Sequence, residues 1–401
     1  MSTQINRTHL AELRKVEEAR FLANHKKSSE AFADSRKVMH EGVPMSWMAK
    51  WPGAHPVFVK EAKGARFTDI DGNTYIDFCL GDTGSMTGHS PDATVAAIKR
   101  QADIGITSML PTLDATVVAK ELAARFGLPM WQFTVTATDA NRHVIRYCRL
   151  ITGRSKIIVI DRCYHGSVDE TFATLDGAGN TVKREGNLGA PVDLAVTTRV
   201  VEFNDLAGME AALAHGDVSA ILMEPAMTNV GIVLPEDGYL TAVQDLAKKY
   251  GALLIIDETH TISVGTGGMT QDLGLKPDFL TIGKAIAGGI PVGTFGMTED
   301  VANSIKKLVE LEIIDTGGIG STLAGNAMSL AAMRATLSEV LTADAFKEMI
   351  ALGDRWSDGV DAAIAEFDLD WHCNRLGARG EYIFKGTVSY THLTLPTKRI
   401  V

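Results

Sequence analysis

The chain has 401 residues, 45% of them hydrophobic, and a formal net charge of -10. This length can bury a large core and predicts two or three domains. The negative charge disfavours a nucleic-acid partner, because nucleic-acid-binding proteins concentrate lysine and arginine on one face. The cysteines form no C-x-x-C pair, so neither a disulfide framework nor a zinc site is predicted; they are Cys79, Cys148, Cys163 and Cys373. The composition favours an enzyme that acts on small molecules.

The N-terminal stretch, residues 1–27, mixes both charge signs and has no apolar segment typical of a secretion signal. No run of about 18 apolar residues occurs in the chain, so no membrane-spanning helix is predicted. We therefore expect a cytoplasmic protein.

The N-terminal region is predicted to hold a helix and a small antiparallel sheet. Residues 7–39 alternate charged and apolar positions at helical spacing, which is typical of a surface helix, either solvated or packed on a partner subunit. Residues 57–78 contain three short β-type runs separated by Lys63-Gly64 and Asp71-Gly72, dipeptides typical of hairpin turns. We therefore predict a three-stranded meander.

Short apolar runs alternate with helical stretches through the middle of the chain. After a helix at 114–126, the predicted strands are residues 132–135, 156–160, 199–203, 220–223, 252–256 and 279–282. Such alternation forms right-handed βαβ units, so we predict an α/β fold with a mostly parallel sheet covered by helices. The remaining predictions are a long loop at 176–192, helix from 325 to about 367 and a strand at 377–385.

Two of these strands are predicted to end in an acid and a lysine. The run 252–256 leads into Asp257, and the run 279–282 leads through Gly283 into Lys284. Ligands of open α/β sheets bind at such carboxyl ends. Apolar surroundings disfavour the ammonium form of a lysine, and a neutral amine can form an imine. Either residue alone would more often be a helix cap or a solvated charge, but together they predict pyridoxal 5'-phosphate (PLP) as cofactor.

A phosphate-binding segment is predicted at residues 133–141, FTVTATDAN. It combines a strand end, small hydroxyl residues and a helix that starts near Asp139. Backbone N-H groups at a helix start and the hydroxyls of Thr136 and Thr138 favour a phosphate dianion. The segment on its own is equally compatible with an ordinary helix N-cap.

The pattern around the acid and the lysine resembles the class III aminotransferases, which are PLP enzymes of fold type I. The resemblance lies in a strand followed by Asp-Glu-x-x-Thr and in PDFLTIGKAIAGGIPVG at residues 277–293. It covers roughly residues 40–385. It implies that Lys284 carries the cofactor as an imine and that Asp257 contacts the ring nitrogen.

The resemblance also implies a division of the chain. The expected parts are an N-terminal helical segment (1–55), a large PLP-binding α/β domain (56–320) that begins with the meander, and the start of a smaller C-terminal domain (321–386). That domain continues further in the family, whereas residues 387–401 match nothing expected there. We therefore expect the natural protein to be longer and residues 387–401 not to belong to it.

Further cofactor contacts are implied by the same resemblance. Tyr164 of a Tyr-His-Gly motif would stack on the pyridine ring, a role that suits a flat aromatic face. Glu224 of a Glu-Pro pair would lie near the phenolic side. Asn229 stands where the aminomutase branch carries asparagine, and Thr259 where a small apolar residue packs under the ring. Thr322 would reach the phosphate of the neighbouring subunit's cofactor, which implies a homodimer with shared active sites.

The expected phosphate contacts depart from the family pattern Ser-Gly-Thr/Ser-Glu-Ala-Asn. They are Thr136, Ala137 and Thr138, which keep the polarity of the motif while alanine replaces its glycine. A methyl group at this position is expected to limit how closely the backbone approaches the phosphate.

The resemblance implies transfer of an amino group from an amino acid or amine to a 2-oxo acid, with Lys284 moving the proton. A 2,1-aminomutase of the glutamate-1-semialdehyde type is the first alternative: Asn229 favours it, whereas Ile262-Ser263 replaces the family's usual Gly-Phe-Arg. A PLP-binding protein without turnover is the second, because the cradle is unusual. No nucleotide P-loop, GxSxG or HExxH pattern supports another chemistry.

Overall fold

The computed structural model describes residues 6–50, 53–308 and 318–384. The chain divides into two units, residues 1–91 and residues 92–401. Within the described part of the chain, no helix is long and apolar enough to cross a membrane. The domain boundaries expected after residues 55 and 320 stay predictions, and residues 387–401 lie outside the described residues.

The first unit begins with two helices instead of the single helix predicted at residues 7–39. They are α1 (Arg7–Asn24) and α2 (Lys26–Ser35). The break falls at His25 because Asp71 caps the second helix: its carboxylate accepts hydrogen bonds from the N-H groups of Lys27 at 2.7 Å and Ser28 at 3.0 Å. Side-chain capping of this kind satisfies N-H groups that a helix leaves unpaired at its start.

The predicted meander is present in the first unit. Its strands are β1 (Val59–Lys63), β2 (Arg66–Asp69) and β3 (Thr74–Ile76). They pair antiparallel in that order. Gly64 and Gly72 have φ values of 56° and 99°, and glycine adopts such values without steric cost, so both turns use it.

The second unit is built on a seven-stranded sheet within the described residues. In chain order its strands, with a separate hairpin of β6 and β7, are β4 (Met130–Thr134), β5 (Lys156–Ile160), β6 (Ala173–Leu175), β7 (Thr181–Lys183), β8 (Thr198–Val201), β9 (Val218–Met223), β10 (Leu253–Asp257), β11 (Phe279–Ile282) and β12 (Gly293–Met297). The spatial order is β4-β12-β11-β10-β9-β5-β8. The pairs from β11 to β8 are parallel, whereas β12 is antiparallel to β11 and β4. The prediction of a mostly parallel sheet is confirmed.

The second unit also contains helices, several of which contact this sheet. They are α3 (Asp92–Ile104), α4 (Leu113–Phe126), α5 (Ala137–Thr152), α6 (Leu206–Ala214), α7 (Tyr239–Tyr250), α8 (Gly268–Asp272), α9 (Glu299–Leu308), α10 (Ala327–Ala335) and α11 (Ala343–Glu366). Helix α5 contacts β4, β12, β11 and β9, while α7 contacts β10. Every residue of β9 is buried, as expected for the centre of a covered parallel sheet.

Three details differ from the sequence-based expectation. Strand β12, GTFGM, was not predicted because glycine is a weak strand former; Gly296 is needed because a Cβ there would lie 2.6 Å from the ring of Trp131. The loop predicted at 176–192 contains β7. The strand predicted at 377–385 is wrong in its start, because Gly377 and Ala378 form the turn of a hairpin whose strands are β13 (His372–Leu376) and β14 (Arg379–Ile383).

Candidate active site

Asp257 and Lys284 lie at the carboxyl ends of two adjacent parallel strands. Asp257 is the last residue of β10 and pairs in register with Thr281 of β11. Lys284 follows two residues after the end of β11, with Gly283 between them. The sequence predicted this adjacency, since parallel strands end at the same edge of a sheet.

Asp257 is a buried carboxylate held by three hydrogen-bond donors. The residue is 4% exposed. Oδ2 accepts from Nδ1 of His165 at 2.9 Å and from Nδ2 of Asn141 at 3.0 Å, and Oδ1 accepts from the N-H of Thr259 at 3.1 Å. Burial alone would raise the pKa of Asp257, but the hydrogen bond and charge of His165 outweigh it and lower the pKa to about 2. This carboxylate stays ionised at neutral pH.

His165 is the charged partner of that carboxylate. Burial alone would lower the pKa of His165, but the neighbouring Cys163 and the hydrogen bond to Asp257 raise it to about 10. Its Nε2 is buried and has no hydrogen-bond partner among the described residues. His165 is the histidine of the Tyr-His-Gly motif, and the structure places it in direct contact with the aspartate.

Asn141 was missed as a site residue, although it ends the quoted cradle sequence. Besides Asp257, its Nδ2 contacts the carbonyl of His165 at 3.1 Å, and its Oδ1 accepts from Oγ1 of Thr281 at 2.7 Å. The side-chain amide of Asn141 therefore links helix α5 to β11 and to Asp257 by hydrogen bonds. The signal in the sequence was an asparagine one turn into the helix that follows the cradle.

Lys284 has an unusual backbone and a specific side-chain contact. Its φ of 51° lies in the left-handed region, which few non-glycine residues occupy. Its Nζ lies 2.5 Å from Nε2 of His260, and Nδ1 of His260 lies 3.0 Å from Nη1 of Arg379. His260 is 9% exposed. Neither His260 nor Arg379 was predicted from the sequence.

The predicted phosphate segment forms the start of α5 and packs against the lysine strand. Thr136 caps the helix: its Oγ1 accepts from the N-H of Asp139 at 3.2 Å. Ala137 and Thr138 are the first two helical residues, whose N-H groups have no partner inside a helix. A Cβ on Gly283 would lie 3.0 Å from Cβ of Ala137, so the methyl group that replaces the family's glycine fills the space over the residue before Lys284.

The other predicted contacts differ in their surroundings. Tyr164 is 42% exposed and meets Phe172 edge-on, with ring centroids 6.2 Å apart. Glu224 is 2% exposed, and burial raises its pKa to about 7 while Thr228 donates to it. Asn229 is exposed, and its Nδ2 donates to the carbonyl of Arg162 at 2.9 Å.

The surroundings of Thr322 do not include the predicted catalytic residues. It lines an open cleft of about 520 Å³ together with residues such as Trp131, His143 and Tyr147, and neither Asp257 nor Lys284 is among the lining residues. Gly320, in the same loop, donates its N-H to Nε2 of His143 at 3.2 Å. Residues 309–317, which precede this loop, lie outside the described residues. The role of Thr322 in a partner's site stays a prediction.

The residues present fit PLP. A buried anionic carboxylate can pair with a protonated pyridine nitrogen, and the start of α5 offers N-H groups to a phosphate. A Cβ on Gly293 would lie 2.3 Å from the carbonyl of Thr136, so the cradle depends on the small residues beside it. The amine of Lys284 lies at the end of the neighbouring strand. Acid, amine and anion cradle are thus assembled at one edge of the sheet.

This fold and this site define a PLP-dependent enzyme of fold type I. The chain belongs to the class-III aminotransferase family, whose sequence pattern matches residues 47–368. The glutamate-1-semialdehyde 2,1-aminomutase 2 of Bacillus pumilus is 32% identical over 368 residues, which cover 90% of this chain and 84% of that protein.

Solved structures agree with the family. A glutamate-1-semialdehyde-aminomutase from Pseudomonas aeruginosa PAO1 matches with a TM-score of 0.94 and 48% identity, covering 97% of this chain and 87% of that one. A lysine-to-alanine variant from the same organism, in complex with PMP, matches with a TM-score of 0.95 and 48% identity, with the same coverage. An omega-transaminase from Sphaerobacter thermophilus matches with a TM-score of 0.83 and 25% identity, covering 92% and 85%. PLP is the cofactor of this protein.

Proposed function

We propose that the protein moves an amino group with the help of PLP bound to Lys284. The observation that carries the proposal is the buried, ionised Asp257 beside Lys284, fixed by His165 and Asn141. When bound, PLP supplies an electron sink for the electrons released as a proton leaves the substrate carbon. The sink is strongest when the pyridine nitrogen is protonated, and a carboxylate that stays ionised favours that form.

Each residue has a distinct task in this proposal. Asp257 holds a proton on the ring nitrogen, and every unit by which it raises the pKa of that nitrogen corresponds to about 1.4 kcal/mol. Lys284 holds the cofactor and moves a proton at its Nζ. The N-H groups of Ala137 and Thr138, at the start of α5, bind the phosphate.

We propose the 2,1-aminomutase reaction as the first candidate: the amino group of glutamate 1-semialdehyde moves from carbon 2 to carbon 1 of the same molecule. The relatives named after this reaction support it, because they match this chain over most of their own length. Asn229 stands at the position where that branch carries asparagine. Substrate and product would then be isomers.

The second candidate is transfer of the amino group from an amino acid or amine to a separate 2-oxo acid. The similarity to an omega-transaminase at 25% identity supports it, and so does the presence of Ile262 and Ser263 where the family commonly has Gly-Phe-Arg. This was the reaction expected first from the sequence. The relatives shift the preference to the aminomutase.

Product analysis separates the candidates. The PLP-loaded protein is incubated with glutamate 1-semialdehyde alone, and in parallel with a panel of amino donors and pyruvate or 2-oxoglutarate. An isomer of unchanged mass with the amino group on carbon 1 supports the aminomutase, whereas a new amino acid derived from the 2-oxo acid supports the aminotransferase. The matched control is Lys284→Ala, which we expect to be inactive in both. Bound PLP whose absorbance does not respond to any donor would overturn both and leave a binding protein without turnover.

A further inference from the structure

Three side chains from distant parts of the chain form a continuous row that ends at Lys284. Nη1 of Arg379 lies 3.0 Å from Nδ1 of His260, and Nε2 of His260 lies 2.5 Å from Nζ of Lys284. The two contacts use the two different ring nitrogens of one imidazole. Their hydrogen-bond roles are therefore not independent.

Arginine decides these roles because a guanidinium only donates hydrogen bonds. Nδ1 of His260 must then be the accepting nitrogen, and the ring proton lies on Nε2. That N-H points at Nζ of Lys284 and needs a lone pair there. The row is satisfied only when Lys284 is an amine with a lone pair available, and this is the form that attacks a carbonyl carbon.

The fold holds each member of the row. Strands β10 and β11 are paired in register, and His260 and Lys284 each follow three residues after the Asp257–Thr281 pair. The β13–β14 hairpin brings Arg379 to them: the N-H of Ala378 donates to the carbonyl of Ser263 at 2.9 Å, and Oγ of Ser263 donates to the carbonyl of Leu376 at 3.0 Å.

The turn of that hairpin fits tightly against the segment after His260. A Cβ on Gly377, whose φ is 59°, would lie 2.3 Å from the carbonyl oxygen of Ser263. Only glycine allows this approach. The position of Arg379 is thus fixed by backbone packing and does not depend on its own long side chain.

We propose that His260, held in one tautomer by Arg379, donates a hydrogen bond to Nζ of Lys284 and so favours the neutral amine over the ammonium; the lone pair captures the cofactor once this hydrogen bond breaks. His260 acts on the reacting nitrogen, while Arg379 is a positioning residue that acts through His260. The inference rests on the proposed function in one respect, that Lys284 is the residue that captures PLP.

The test measures PLP capture by the full chain stripped of its cofactor, followed by absorbance at neutral pH, with borohydride trapping and peptide mapping to locate the label. His260→Met should slow capture about tenfold, because it removes the donor that favours the neutral amine of Lys284 over the ammonium. Arg379→Met should slow it roughly threefold, since both tautomers of His260 then compete. His260→Gln should stay within about threefold of wild type, because one amide can accept from Arg379 and donate to Lys284.

Matched controls separate this role from a structural one. Arg375, on the same hairpin, pairs instead with Asp358 at 2.8 Å and Asp361 at 2.7 Å; Arg375→Met should leave the capture rate unchanged. Rescue by glutamine but not methionine cannot come from packing alone, since methionine is similar in volume. Equal capture rates in the methionine, glutamine and wild-type chains would overturn the inference while a label on Lys284 leaves the proposed function standing. A label on another lysine would instead overturn the proposed role of Lys284.

Discussion

Nδ1 of His165 donates to Oδ2 of Asp257 at 2.9 Å, and both residues are almost fully buried, at 1% and 4% exposure. The two residues reach each other from different strand ends, because His165 follows β5 and Asp257 ends β10. A buried ion pair is costly to break, since the remaining charge is left without a partner in a medium that solvates it poorly. The charge on Asp257 is thus maintained by a residue that need not touch the substrate.

Asp257→Asn should keep the cofactor bound but reduce turnover by roughly a hundredfold or more, because an amide has no charge with which to hold the ring nitrogen protonated. Asp257→Glu, which keeps the charge, should be milder. The measurement is single-turnover kinetics with PLP-loaded protein, combined with cofactor affinity from absorbance. Near-wild-type turnover in the asparagine variant would show that Asp257 is an ordinary structural acid.

The ion pair should give a defined dependence of stability on pH. The pKa of Asp257 is lowered from 3.8 to about 2, so its contribution is present above about pH 4 and is lost as the pH falls through 2. The pKa of His165 is raised from 6.5 to about 10, so its contribution is complete below pH 6.5 and is lost as the pH rises through 10. The pair therefore stabilises the fold most between about pH 4 and 6.5.

The corresponding measurement compares urea unfolding midpoints of wild type and His165→Asn, without cofactor, from pH 5 to 9.5. We expect the wild type to be more stable at pH 5 to 6.5 and the difference to shrink steadily above that range. A difference that is constant across the range would contradict the assignment of charge to His165. His215→Asn serves as a control, because this histidine lies at the end of α6, outside the site.

Gly283→Ala should weaken PLP binding roughly tenfold, because its Cβ would lie 3.0 Å from Cβ of Ala137 and 3.1 Å from the carbonyl of Val292, which forces the cradle away from the lysine. Ala137→Gly in the same chain should restore part of the affinity by removing the facing methyl group. Gly265→Ala is the control: this glycine is extended, with a φ of 171°, and a Cβ there meets nothing within 4 Å. Absence of any recovery in the double variant would show that the two residues do not share this space.

Thr322→Ala should weaken PLP binding without changing the chemistry, if Thr322 serves the phosphate of a neighbouring subunit. Mixed dimers of Lys284→Ala chains with Thr322→Ala chains decide the arrangement when they are assayed at a PLP concentration that loads the wild type but not Thr322→Ala dimers. If Thr322 contacts the cofactor of the neighbouring subunit, the mixed dimer has one site with both substitutions and one intact site, so activity returns. If Thr322 contacts the cofactor of its own chain, each site carries one substitution. Lack of activity in verified mixed dimers would rule out the shared site.

The sequence was sufficient to predict which site residues lie together at the ends of neighbouring strands. It was insufficient to predict contacts that depend on how loops pack and on how far a side chain extends. Asp257 and Lys284 could be paired because each follows a short apolar run and parallel strands end at one edge. Arg379 could not be assigned, because its place beside His260 depends on how the Gly377 turn packs on Ser263, which no periodicity encodes. Strand β12 was not predicted for a related reason: Gly296 accommodates the ring of Trp131, Gly293 lies against the backbone of Thr136, and glycine is a weak strand former.

The left-handed backbone at Lys284 implies that a lysine at this position lowers the free energy of unfolding of the chain. At ordinary sites alanine stabilises a protein relative to glycine, by about 0.5–1 kcal/mol. At a φ of 51° an L-residue carries a steric cost of roughly 1–2 kcal/mol that glycine avoids. We therefore expect the order to reverse, so that Lys284→Gly melts at a temperature no lower than Lys284→Ala. Selection for thermal stability alone would favour replacement of Lys284 by glycine. The need for an amine at this strand end opposes that replacement.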